Sequence, residues 1–194
     1  MDHWRYYLRG RLLELFGFKP EAIATYEAAL RARPDFVQAA NRIAYLLASQ
    51  ERYAEAAPYF EAVLRAEPGN AVAHFNLGYG FDKRGMYDEA IREFREATRL
   101  NRAIDRAWYG LGMAHAQLGQ HREAAEALHE AATLQQMNPH AWYALGMAHH
   151  SLQEADRVKE VALHLVRFDP RMARRLIQDA RREDLAYLVK DLAV

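Results

Sequence analysis

A chain of 194 residues, half of them hydrophobic, is long enough to bury a substantial core, so disorder is excluded as the default state. Its 26 lysines and arginines balance 26 aspartates and glutamates, and the two signs are interspersed without a block of either; nothing in this pattern indicates a basic nucleic-acid surface or a polybasic membrane anchor. Cysteine is absent, which excludes disulfides, thiolate zinc sites and cysteine nucleophiles and leaves stability to packing.

The core letters are mostly Ala, Leu and Tyr, with only six prolines, a mixture that favours helix over sheet. At the start, the apolar run from Leu12 to Phe18 is interrupted by Glu14 and followed by no small-residue cleavage site, so no signal peptide is expected. No stretch approaches the roughly 18 uncharged apolar residues of a membrane span, and a cytoplasmic location is expected. Pro34, Pro68 and Pro170 stand 34 residues apart or at a multiple of it, which sets a repeat register of 3–36, 37–70, 71–104, 105–138 and 139–172 with a tail over 173–194.

The first block carries Gly10 at block position 8, Gly17 at position 15, and Ala22, Tyr26 and Ala29 at positions 20, 24 and 27. The second repeats this as Ala44, Ala56, Phe60 and Val63, and adds Ile43 at position 7; Pro58 falls inside its second helix, where a local kink is expected. The third has Leu77, Gly78, Gly85, Ala90, Phe94 and Ala97, and the fourth Leu111, Gly112, Gly119, Ala124, Leu128 and Ala131. The fifth keeps Leu145 and Gly146 but places Val158 at position 20. These spacings of three and four mark two amphipathic helices per block. A tiny residue at position 8 marks their close approach, and the glycines at position 15 mark a left-handed turn between them. Asn70, Asn101, Asn138-Pro139 and Asp169-Pro170 are expected helix starts. In the tail, Met172, Leu176, Ile177 and Ala180 form an apolar stripe with Arg174, Arg175, Asp179 and Arg181 facing outward, and Leu185, Leu188 and Leu192 can continue it in a second short helix.

The runs Trp108-Tyr109-Gly110-Leu111-Gly112 and Trp142-Tyr143-Ala144-Leu145-Gly146, with the small residues at position 20 and the aromatics at position 24, resemble the tetratricopeptide repeat. The resemblance covers residues 3–172, with Arg102 and Gln136 standing where the family's proline belongs. It implies an all-α, right-handed superhelical solenoid of about five helix-turn-helix repeats plus a C-terminal cap, forming a single domain over 1–194. It also implies that first helices line a concave groove and that positions 2, 5, 9, 12 and 13 face into it. Position 5 holds Tyr7, Asn41, Phe75, Tyr109 and Tyr143, and position 9 holds Arg11, Tyr45, Tyr79, Met113 and Met147; Arg106 and His150 complete the candidate peptide-binding set. Two tyrosines followed by two methionines suit the apolar face of a peptide or helix. The same residues are also suited to packing against one another or against the tail. The clamp with which some family members hold acidic chaperone tails survives only in Asn76 and Arg106, since Asn41, Tyr45 and Gly110 replace its other members.

The nine histidines include no pair three or four apart on one helix, and His115 and His149 fall at position 11, a packed position, so hydrogen-bonded core roles outweigh metal binding. No phosphate loop or nucleophile elbow is present, and the charges around Glu89, Glu93 and Glu96 read as a solvated helix face. The expectation is therefore a non-enzymatic scaffold without cofactor or metal, an adaptor or assembly chaperone whose partner is a protein or peptide, with no nucleic acid and no membrane insertion. The alternatives are a self-associating module that builds homo-oligomers and a regulatory repeat domain of a larger enzyme.

Overall fold

The computed structural model describes residues 2–190. Among them every regular element is a helix: α1 (Asp2–Leu15), α2 (Lys19–Ala32), α3 (Val37–Ala48), α4 (Tyr53–Ala66), α5 (Ala71–Lys83), α6 (Tyr87–Leu100), α7 (Asp105–Gln117), α8 (His121–Leu134), α9 (Pro139–Ser151), α10 (Ala155–Val166), α11 (Pro170–Asp179) and a short 3-10 helix, η1 (Glu183–Leu188). The second helices begin at Lys19, Tyr53, Tyr87, His121 and Ala155, each 34 residues after the last. The chain divides into two compact units, Met1–Leu100 and Asn101–Val194.

All five hairpins turn in the same way. Gly17, Gly85 and Gly119 have φ of 82°, 72° and 71°, and the residues at the matching position of the other two blocks, Glu51 and Gln153, adopt 59° and 61°. A side chain in this left-handed region costs about 1–2 kcal/mol, so two of the five turns hold strain that the register imposes. Glu51→Gly and Gln153→Gly are each expected to raise stability by about 0.5–1 kcal/mol. Gly119→Ala should lower it by a similar amount, because nothing lies within 4 Å of its added Cβ and the backbone alone resists. Urea denaturation of the three variants measures the contrast in sign.

In the first unit α1 pairs with α2, α3 with α4 and α5 with α6, while α2 meets α3 and α4 meets α5. Gly10 is the contact point of the first pair, since a Cβ there would stand 2.6 Å from Cε1 of the fully buried Tyr26. Tyr26 is tied in turn to the next hairpin through a polar group: its hydroxyl donates to Glu14 Oε2 at 2.8 Å, and Arg42 Nε of α3 donates to the same oxygen at 3.1 Å. A second Arg42 nitrogen pairs with Glu14 Oε1. Burial, followed by the bond to Glu14, pushes the Tyr26 phenol well above its ordinary range. Pro58 lies inside α4, which continues through it from Tyr53 to Ala66.

The second unit repeats the arrangement with α7 on α8, α8 against α9 and α9 against α10, closed by α11 and η1. The cap helix starts at Pro170, where the Asp169-Pro170 pair places it and three residues ahead of the tail's boundary at 173, with Asp169 accepting the Met172 N–H at 2.9 Å. Ala173, Leu176, Ile177 and Ala180 are buried. Arg174 is not an outward-facing residue: it is half-buried and donates to the Val189 carbonyl at 3.1 Å. Leu185 is buried in η1, and Leu192 lies outside the described residues.

The helix junctions are tied by position 4. Nε1 of Trp108 donates to the Arg102 carbonyl at 3.0 Å and Nε1 of Trp142 to the Gln136 carbonyl at 2.9 Å; in the first unit, His74 Nε2 lies 3.2 Å from the Pro68 carbonyl. Where proline is missing, its carbonyl position still receives the same bond. Asn70, Asn138 and Asp169 cap their helices as expected. Asn101 does not: its side chain accepts the Ala103 N–H at 3.0 Å within a turn, and α7 starts only at Asp105.

The fifth block solves the close-approach problem differently. Its position 24 is Ala162, too small to fill the space over Gly146, and Leu176 from α11 enters instead: a Cβ on Gly146 would stand 2.6 Å from Leu176 Cδ2. Leu176→Ala is expected to cost about 2–5 kcal/mol by opening a cavity. A loss below about 1 kcal/mol in equilibrium unfolding would show that α11 does not fill that hole.

Candidate functional site

Positions 5 and 9 lie four residues apart and share one helix face. On α7 they are Tyr109 and Met113, and on α9 Tyr143 and Met147; the four line one open cleft of about 330 Å³ in the second unit. Leu128 of α8 lies at its floor, His121 and His140 border it, and Arg175 reaches it from α11. The lining is mainly apolar carbon and thioether, with cationic and imidazole groups among the polar ones. Such a cleft takes an apolar side chain and offers donors to a neighbouring polar group.

The edge of the cleft is fixed by the cap. Tyr143 donates its hydroxyl to Asp179 Oδ2 at 2.6 Å, Arg175 Nε bonds the same carboxylate oxygen at 3.4 Å, and the Arg175 guanidinium carbon lies 4.9 Å from the centre of the Tyr143 ring. Arg175 and Asp179, read from sequence as plain surface charges of the tail, thus order a site-lining tyrosine. Their i,i+4 spacing was visible in sequence, but the 36-residue reach to Tyr143 was not.

The first unit distributes its candidate residues differently. Tyr79 is 40 % exposed on α5, with Phe75 at 6.3 Å, Tyr53 edge-on at 5.8 Å and the Lys83 ammonium 5.0 Å from its ring centre. Phe75 is half-buried and also packs against Phe94 at 6.1 Å. Tyr45 stands exposed on α3, with the Arg42 guanidinium 6.0 Å from its ring centre. Arg11 and Asn41 are exposed. Tyr7 is half-buried, its ring 5.6 Å from Tyr26 and 5.3 Å from Phe36, so much of its surface belongs to packing. In the second unit, Arg106 is exposed on α7 and His150 is half-buried on α9.

The two histidines at position 11 bond the turn that follows their helix. His115 is 3 % exposed with Nδ1 2.5 Å from Gln120 Oε1, and His149 Nδ1 lies 2.6 Å from Glu154 Oε2. Among the described residues no group of three or more His, Asp or Glu side chains is placed to hold a metal ion. No described helix is long and apolar enough to cross a membrane.

Antiparallel helix pairs in a 34-residue register, joined by left-handed turns and presenting an apolar cleft on their first helices, define a helical-repeat protein of the kind that offers binding surfaces. Tetratricopeptide-repeat family models match residues 7–71, 47–111 and 83–148, and the chain belongs to that family. Its fold is similar to that of YrrB, described as a tetratricopeptide-repeat protein with an unusual peptide-binding site, at a TM-score of 0.79 and 22% identity over 91% of this chain and 90% of that one. It is also similar to a MamA protein, with a TM-score of 0.78 and 19% identity over 99% and 97% of the two chains. MamA 41-end from Desulfovibrio magneticus RS-1 matches with a TM-score of 0.64 and 26% identity over 70% of this chain and 76% of that one. No curated protein matches the chain.

Burial first, and then the bond to Asp179, raise the Tyr143 phenol above its ordinary value of 10.0. A raised folded value means that the stability linked to the protonated phenol is complete below pH 10 and is lost as pH rises through the folded value. Tyr143→Phe is therefore expected to show a smaller loss of stability between neutral and strongly alkaline pH than the parent chain. Denaturation midpoints on both sides of the transition measure it, and an identical alkaline loss would remove the Asp179 bond from the account.

Proposed function

We propose that this chain is an adaptor or assembly chaperone that holds a peptide segment or short amphipathic helix of a partner protein against its first helices, with the α7–α9 cleft as the anchor point. The observation that carries the reading is the meeting of Tyr109, Met113, Tyr143 and Met147 in one cleft. Tyrosine supplies rigid area and methionine adapts its shape, which together suit an apolar anchor residue. The description of the similarly folded YrrB as having a peptide-binding site supports the same direction. Arg106 and His150 complete the proposed peptide-binding set in the second unit; in the first it comprises Arg11, Asn41, Tyr45, Phe75 and Tyr79, with Tyr7 supporting it from the packed side. The mechanism is binding alone, without catalysis, cofactor or nucleic acid. A reducing cytoplasm fits a chain with no cysteine.

Selection from a random peptide library displayed on phage, followed by calorimetric titration of the enriched peptides, tests this directly. The peptides are expected to carry an aromatic or aliphatic anchor. Met113→Ala combined with Met147→Ala should cost about 2 kcal/mol or more of binding with the helical spectrum retained. Arg106→Glu should cost much less, and added salt should weaken binding only modestly. Normal binding by the methionine double variant, with binding abolished in Arg106→Glu, would replace the apolar anchor with an electrostatic clamp.

A further inference from the structure

The outer side of α1 carries an apolar ridge that folding leaves largely exposed, although Trp4 at its start also packs edge-on against Phe36 at 4.9 Å. Trp4, Leu8, Leu12 and Leu15 recur at helical spacing, and Phe16 and Phe18 continue the ridge through the turn into α2. All six are exposed, from 46 % at Trp4 to 79 % at Leu15. Exposed apolar residues scattered singly are ordinary, but several leucine and aromatic side chains on one helix face and in the turn that follows it mark an interaction surface.

The margins of the ridge are cationic. Arg5 and Arg9 lie along one side of it, Arg11 along the other and Lys19 beyond the turn, all exposed. The acids of the same stretch are Asp2 and Glu14, and Glu14 is engaged by Tyr26 and Arg42. No basic run appears in the sequence because the arginines are spread among apolar letters, and only the winding of α1 gathers them around the ridge. Arg5 and Arg9 also occupy block positions 3 and 7, which in the next two hairpins are Ala39 and Ala73, and Ile43 and Leu77, all buried in the core. Arg5 and Arg9 thus place charge where the next two hairpins bury apolar side chains.

A second copy presenting its own α1 to this face would gather the arginines of both copies, and Asp2 is the one exposed acid that α1 itself supplies against them. An anionic bilayer meets the ridge without that conflict. Leucine and phenylalanine enter the boundary between headgroups and acyl chains, Trp4 suits the interfacial layer, and arginine stems lie along apolar surface while their heads reach lipid phosphate. We propose that α1 and the α1–α2 turn form a docking surface for an anionic lipid bilayer, on which the chain lies without crossing it. The surface belongs to the first unit, and of the residues proposed for peptide binding Arg11 alone borders it.

Sedimentation of the full chain with vesicles tests the proposal, using phosphatidylcholine containing about 30 % phosphatidylserine against phosphatidylcholine alone. The chain is expected to sediment with the anionic vesicles and to bind the neutral ones about tenfold less. Leu8→Glu with Leu12→Glu should reduce binding to anionic vesicles about tenfold or more. Arg5→Glu with Arg9→Glu should do the same and remove most of the salt dependence. The substituted residues are exposed, so both variants are expected to keep the parent's circular dichroism and unfolding midpoint. A parent chain that stays in the supernatant, or a leucine variant that sediments like the parent, overturns the proposal. So does a chain that ignores vesicles but self-associates in sedimentation velocity and becomes monomeric in the leucine variant, a result that assigns the ridge to a second copy.

Discussion

The structure depends on how closely the two helices of each hairpin can approach. A helix pair brought together at a glycine or alanine leaves a depression one side chain deep, and something large has to enter it or the interior loses contacts that nothing replaces. In the first, third and fourth hairpins the entrant is Tyr26, Phe94 or Leu128, supplied by the hairpin's own second helix. The tight approach aligns the first helices, and the alignment sets position 5 and position 9 side by side on neighbouring hairpins. The cleft between α7 and α9 is thus a by-product of packing geometry, furnished by whichever residues the sequence places at those two positions.

The last hairpin shows how far the rule extends. Having Ala162 where an aromatic or leucine would serve, it borrows Leu176 from the following helix, so the cap is not a lid laid over a finished core. The same helix carries Arg175 and Asp179, which hold Tyr143 at the cleft. Closing the second unit and holding the edge of its α7–α9 cleft are therefore done by one element, and a change to the cap propagates to both.

Most of the fold was legible in the sequence because the repeat multiplies weak local signals. One glycine is ambiguous, whereas small residues at five equivalent positions in a common register are not. The turn at position 15 was readable where it holds glycine and missed at Glu51 and Gln153, because the register forces a left-handed backbone there that local preference would not choose. Asn101 was misleading for the opposite reason: an asparagine satisfies a turn as readily as a helix start, and only the later beginning of α7 separates the two. The site was legible as a set of positions and not as a constellation. The sequence placed Tyr109, Met113, Tyr143 and Met147 on corresponding faces, but the contribution of Arg175 depends on where the cap comes to rest. The arginines around the α1 ridge were invisible as a patch, since they are spread among apolar residues along the chain and are gathered only by the helix.

The bonds that tie Trp108 to the Arg102 carbonyl and Trp142 to the Gln136 carbonyl have a spectroscopic consequence. Two of the chain's three indoles are fastened to the segments that precede α7 and α9 in the second unit, while the third, Trp4, is half-exposed on α1 in the first. The intrinsic emission is accordingly divided by location. The junction indoles respond when a linker peels from the helix it precedes, and Trp4 responds to what happens at the surface of α1. With Trp4 replaced by phenylalanine, the remaining fluorescence becomes a reporter of one half of the molecule, built into the sequence without any label.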